Sequence, residues 1–163
     1  MQSFWRRFRR RFRSLRRMSW SDRALAAESL AMLAVARLLV KTTPRKRLAS
    51  RMGGVPVGNN DYMETVGTSS PLRSEQDVTG ARVGAMVEDA ARTTWWRSMC
   101  LEKALAGKWM LRRRGISSTM YVGVAKRGTE FIAHAWLVGE GQTVTGAGKT
   151  VYATLAAFRE PRA

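Results

Sequence analysis

The 163-residue sequence predicts an α+β fold, helices first and an antiparallel sheet after. Three observations carry that prediction. Apolar residues recur at helical spacing over residues 24–40, 74–94 and 100–114. After Gly115 the period drops to two. Short Gly-containing turns then separate runs rich in Val, Tyr, Ile and Thr.

Each element has its own local cause. Ser21 and Asp22 stand where an N-cap and a first-turn acid belong, ahead of an apolar run from Ala24 to Val40. Thr43-Pro44 stops that run. It spans 17 residues and contains Glu28 and Arg37, whereas a membrane span needs about 20 apolar residues with few charges; it reads as a buried helix. Pro44 to Met52 reads as a shorter basic helix. Gly, Asn, Ser, Thr and Pro crowd residues 53–71, a loop long enough to suggest a functional or mobile role. A helix over 74–94 follows, with Val78, Ala81, Ala85, Met86 and Ala90 on its expected inner face. Trp95 to Met99 breaks the pattern. The next helix runs from Cys100 to Arg114, with Gly115 to end it and Arg112, Arg113 and Arg114 in its favoured last turn. Strands are expected over 119–124, 130–138 and 142–145, as a meander; 151–158 is ambiguous. The expected organisation is a basic helical segment (1–52), a loop (53–71) and a core (72–163).

Charge is distributed unevenly. The chain has 29 Lys and Arg against 12 Asp and Glu; residues 1–53 hold 15 basic and 2 acidic side chains, and the other 110 hold 14 and 10. Met1 to Arg17 contains eight Arg interleaved with Phe4, Trp5, Phe8, Phe12 and Leu15, spaced to share one helix face. Such a segment suits a solvated tail first and a membrane-surface helix second. Nucleic-acid binding ranks behind both. A basic arm also attracts an acidic peptide or partner.

One Cys and one His exclude an internal disulfide and a Cys/His zinc site, so no metal is expected and a cytoplasmic compartment is the natural reading, with membrane contact only at the surface. No Walker A motif and no GxGxxG pattern after a strand announces a nucleotide. The two single residues fall in suggestive places. Cys100 opens a helix, whose free N–H groups and dipole favour thiolate over thiol. His134 lies in a strand two elements later, where an imidazole can take the thiol proton and return it to a leaving group. Helix-with-Cys followed by strand-with-His is the skeleton of papain-like thiol enzymes. A lone Cys is also commonly a small buried residue, and a lone His a packed one. Periodicity alone does not choose.

The neighbouring residues do. Cys100-Leu101, Ala104-Leu105, Leu111 to Ile116, Tyr121 to Val124, and Phe131-Ile132-Ala133-His134-Ala135-Trp136 with Val144 together resemble the stand-alone lasso-peptide leader peptidases, transglutaminase-like (papain-like) cysteine proteases of bacterial ribosomal-peptide biosynthesis. The resemblance covers about residues 95–158. It implies a papain/transglutaminase-like core with the Cys-bearing helix packed on the sheet. It implies a peptidase that cuts a precursor peptide between leader and core, with Cys100 as nucleophile, His134 as base and the Cys100 N–H as an oxyanion donor. The step needs no cofactor. An ATP-dependent macrolactam synthetase would then close the ring. A separate leader-recognition protein is expected, because residues 1–94 show no strand pair of the kind that would add the leader to a sheet.

One departure stands out. The family usually places an Asp about a dozen residues after the His, whereas Val144 to Lys149 here contains no acid. Glu140, in a predicted turn, is the nearest carboxylate; Thr143, Thr145, a main-chain carbonyl or a partner are other ways to orient the ring. Trp96 and Trp136 are candidates to wall a substrate cleft, Trp136 because it shares the His134 side of its strand. The contrasting expectation is a non-catalytic basic binding or scaffold protein on a degenerate peptidase fold.

Overall fold

The computed structural model describes residues 19–44, 55–56, 74–148 and 150–159. The Arg-rich start, the basic helix expected to Met52 and most of the loop at 53–71 lie outside the described residues.

Helix α1 spans Trp20–Thr42. Its cap is Ser19 and not Ser21: Ser19 keeps an extended backbone and its hydroxyl accepts from the Asp22 N–H at 3.1 Å. Ser21 already lies in the helix and its hydroxyl takes an N–H from Arg82. Thr43 is extended and ends the helix before Pro44, as expected. Leu25, Ser29, Leu33 and Ala36 form the buried stripe, and the Ser29 hydroxyl is satisfied by the Leu25 carbonyl at 2.8 Å. Leu30, Val35 and Leu38 remain exposed, so the helix is buried on one face and not all round.

Helix α2, Glu75–Thr93, starts with a reciprocal capping box between Ser74 and Asp77. Its inner face differs from the expected one. Asp77, Gly80, Val83, Gly84, Val87 and Ala90 are buried; of the expected face, Ala90 is buried and Met86 packs half-buried against the core, while Val78, Ala81 and Ala85 are exposed. The glycines explain the rotation, because they let the helix backbone lie against the edge of the sheet. Helix α3, Cys100–Arg112, sits between α1, α2 and the sheet. Glu102 reaches back to accept the Met99 N–H at 3.1 Å. Gly115, at φ 68°, turns the chain out of the helix, and the Ile116 N–H closes on the Leu111 carbonyl at 3.1 Å.

The sheet is antiparallel throughout. Strands β2 (Ser118–Arg127), β3 (Glu130–Gly139) and β4 (Gln142–Thr145) form the expected meander. Strand β5 (Ala153–Arg159) returns to the far side of β2, and β1 (Val55–Pro56), inside the expected loop, pairs with its end. The order is therefore β1-β5-β2-β3-β4. Pro56 is tolerated because β1 is an edge strand.

The main core lies between helices and sheet and joins Leu33, Val87, Leu105, Met110, Met120, Leu137 and Phe158. The N-terminal helix thus shares one core with the Cys-bearing helix and the sheet. A smaller cluster of Tyr121, Trp136, Val138 and Ala157 occupies the opposite sheet face. Lys108, 1% exposed, runs its stem through the main core and donates to the Phe158 carbonyl at 3.0 Å and the Ser118 carbonyl at 3.5 Å. It pins α3 to β5 and β2.

Candidate active site

Cys100 is the first residue of α3, preceded by an extended Met99, and it is half-buried against the helix side of the core. Its thiol therefore starts at the positive end of a helix. The segment before it is held from α1. One Arg37 nitrogen reaches the Arg97 carbonyl and a Glu102 carboxylate oxygen, each at 3.2 Å, and its guanidinium lies 5.8 Å from the Trp96 ring centroid. Trp96 is thereby turned toward α1, with its indole nitrogen buried. Trp95, edge-to-face with Trp96 and 85% exposed, is the ring of the pair that stands in the open, five residues before Cys100.

His134 lies in the middle of β3. Strand β4 pairs only with Leu137 to Gly139, so at His134 strand β3 has β2 on one side and no β4 partner on the other. The imidazole stacks on Tyr152 (centroids 4.8 Å, planes 24° apart) and lies near-parallel to Trp136 at 6.2 Å. Trp136 does share the His134 side of the strand. At 2% exposed, however, it is a closed backing for the ring, itself stacked on Tyr121 at 5.5 Å.

The ring is oriented from the far side of the β4 turn. Its Nε2 lies 2.8 Å from the Gly146 carbonyl. A carbonyl only accepts, so Nε2 carries the proton and donates, and the lone pair of the neutral ring is on Nδ1. Glu140 does not do this. It is exposed in the β3–β4 turn, six residues up the strand, a distance of about 20 Å at strand rise. Thr143 and Thr145 do not bond the ring either; among the described residues the main-chain carbonyl is its hydrogen-bond partner.

Sequence reasoning did not find the groups behind that carbonyl. The Gly146 N–H donates to Glu88 of α2 at 3.4 Å, and Glu88 accepts both-handedly from Lys103 Nζ at 2.9 and 3.1 Å. Lys103 is three residues after Cys100, on the same side of α3. Cys100 and His134 are not hydrogen-bonded to each other. What joins the first turn of the Cys helix to the imidazole is the chain Lys103, Glu88, Gly146. The available signal was the Gly80, Gly84, Glu88 spacing, which puts Glu88 on the same face as two glycines. Among the described residues no cluster of His, Cys, Asp or Glu could hold a metal ion, and no helix is long and apolar enough to cross a membrane.

The model of the transglutaminase-like superfamily matches residues 57–157, well over half of the chain. No curated protein and no solved structure matches it.

Proposed function

Since the chain belongs to the transglutaminase-like superfamily, which includes cysteine peptidases and acyltransferases, we propose that it is a cysteine peptidase removing the leader from a ribosomally made lasso-peptide precursor. The observation that carries this reading is the position of the single cysteine at the start of a helix, in the same matched region as a single histidine whose Nε2 is already committed to a carbonyl. In the reading, Nδ1 of His134 takes the Cys100 proton and the thiolate adds to the scissile carbonyl. The oxyanion forms near the Cys100 N–H. The imidazolium returns its proton to the departing amine, which becomes the N-terminus of the core peptide. Water, deprotonated by the same ring, then releases the leader carboxylate. The protease step uses no cofactor. Its partners would be the precursor, a separate leader-recognition protein and the ATP-dependent macrolactam synthetase, in a cytoplasmic setting, with membrane-surface contact left to the Arg-rich start.

The second reading is a non-catalytic scaffold on a degenerate peptidase fold. It is favoured by one observation, that no carboxylate touches the His134 ring among the described residues. Rate of alkylation against pH separates the two, since every event reports Cys100. A peptidase shows an apparent pKa below the free thiol value of ~8.5 that rises in His134→Ala. It also loses precursor cleavage in Cys100→Ala. A thiol indifferent to His134, with peptide binding intact in Cys100→Ala, establishes the scaffold.

A further inference from the structure

We propose that Gly146 supplies the orienting group of this site through its main-chain carbonyl, and that Glu88, braced by Lys103, is the positioning residue that holds the carbonyl in place. The inference rests on the peptidase reading for its catalytic meaning, but its structural content stands on the geometry alone.

Position 146 cannot take a side chain. Gly146 has φ 79°, and a Cβ there would lie 2.8 Å from the Ala135 carbonyl oxygen and 3.0 Å from Cα and Cβ of Trp136. Those are backbone atoms and the root of a buried side chain, which have nowhere to go. Gly146 is also twelve residues after His134, the spacing at which the resembled peptidases carry their acid. In this chain the backbone itself comes within hydrogen-bond distance of the imidazole. Closeness and bareness have one cause: the chain passes so near β3 that only glycine fits, and only a carbonyl is left to meet Nε2.

That carbonyl is held still from α2. Residues 146–148 follow the last residue of β4 and have no strand partner. Glu88 takes the Gly146 N–H, and Lys103 fixes Glu88 with two contacts. Gly146 is thus held on both sides of its Cα: its N–H, in the peptide unit before it, by a carboxylate, and its carbonyl, in the unit after it, by the imidazole. A neutral carbonyl fixes the tautomer as well as a carboxylate does, though it stabilises an imidazolium less. Holding it rigidly leaves the Nδ1 lone pair uncommitted.

The test uses the fact that His134 is the sole histidine. Two-bond ¹H–¹⁵N correlation spectra of the full-length protein report its tautomer without substrate. The expected result is a single Nε2–H tautomer in the wild type. Glu88→Ala is expected to give a tautomer mixture and a kcat about tenfold lower with little change in KM, the size of effect typical of groups that orient a reacting residue from behind. Glu88→Gln retains an oxygen for the Gly146 N–H and is expected to recover most of both. Gly146→Asp is expected to gain no activity, because its Cβ has no room. A wild-type ring protonated on Nδ1 overturns the proposal, and needs no variant to fold. So does an unchanged tautomer in a folded Glu88→Ala, or a faster Gly146→Asp. Failure of the peptidase reading looks different: alkylation of Cys100 indifferent to His134, with the Nε2–H tautomer and its dependence on Glu88 intact.

Discussion

Arg37 of α1 and Glu102 of α3 are ion-paired at 3.2 Å, and Glu102 is 3% exposed. The same carboxylate accepts the Met99 N–H at the start of the Cys helix. The N-terminal helix is therefore part of what sets the position of Cys100. Arg37→Met leaves a buried carboxylate with its backbone donor but without its cation. A fully buried pair broken in this way costs 3–5 kcal/mol; with Arg37 partly in solvent, about 2–3 kcal/mol is expected. The double variant Arg37→Met/Glu102→Gln should recover part of that loss, because no charge is then stranded. Urea denaturation of the two single variants and the double one measures the coupling; strict additivity would show that the pair contributes nothing.

The two glycines of α2 should respond oppositely to alanine. In an exposed helix interior the change gains up to about 1 kcal/mol. At Gly80 the new Cβ would meet only a Val144 methyl at 3.9 Å, an ordinary contact, so Gly80→Ala should be neutral or stabilising. At Gly84 the Cβ would land within the Val144 carbonyl group, which is backbone and cannot rotate aside. Gly84→Ala should cost about 1–3 kcal/mol through a displaced helix. It should also disturb the Glu88 to Gly146 bond, one turn further along. Thermal melts decide the signs.

These glycines mark where the sequence could and could not be read. Periodicity locates side chains that bury Cβ atoms, so it found α3, β2, β3 and β4 within a few residues. It chose Val78, Ala81 and Ala85 for the inner face of α2 because a glycine registers as absence, although close backbone approach was what that face required. The site was legible in the same measure. Cys100 at a helix start and His134 and Trp136 on one strand face follow from local rules. Gly146, Glu88 and Lys103 come from three separate stretches and meet only once β4 has stopped short, so beyond the Gly80, Gly84, Glu88 spacing nothing along the chain announces them. Lys108 offers no signal either: its burial depends on two strand carbonyls that face it only in the folded state.

Stability should fall in acid for an identifiable reason. Arg114 donates to both carboxylate oxygens of Glu28, with Arg113 close by, and holds that carboxyl below its usual value of 4.5. Arg82 and Ser19 do the same for Asp22. A carboxyl depressed in the folded state binds its proton more readily when unfolded. Its contribution is present above the ordinary carboxylate range and is lost as pH falls through the folded-state value. Arg114→Ala should therefore lower Tm above about pH 5, by an amount reflecting roughly 0.5–1 kcal/mol for a pair near the surface. The difference from wild type should vanish in stronger acid and shrink with added salt.

Trp136 sets packing against an unmet donor. Its ring is buried between Tyr121 and the His134–Tyr152 stack, and its indole N–H has no hydrogen-bond partner among the described residues. A buried donor left unpaired costs about 1–3 kcal/mol, a penalty that phenylalanine removes. The smaller ring forfeits apolar area of similar worth. Trp136→Phe should therefore fall within about 1 kcal/mol of wild type and keep an aromatic face beside His134, so the pH profile of Cys100 alkylation should hold. Trp136→Ala forfeits the ring outright, costs about 3–5 kcal/mol and removes one of the two rings that back the imidazole. If Trp136→Phe were as costly as Trp136→Ala, the indole N–H would have to be engaged, and the far sheet face would owe its stability to that bond more than to stacking.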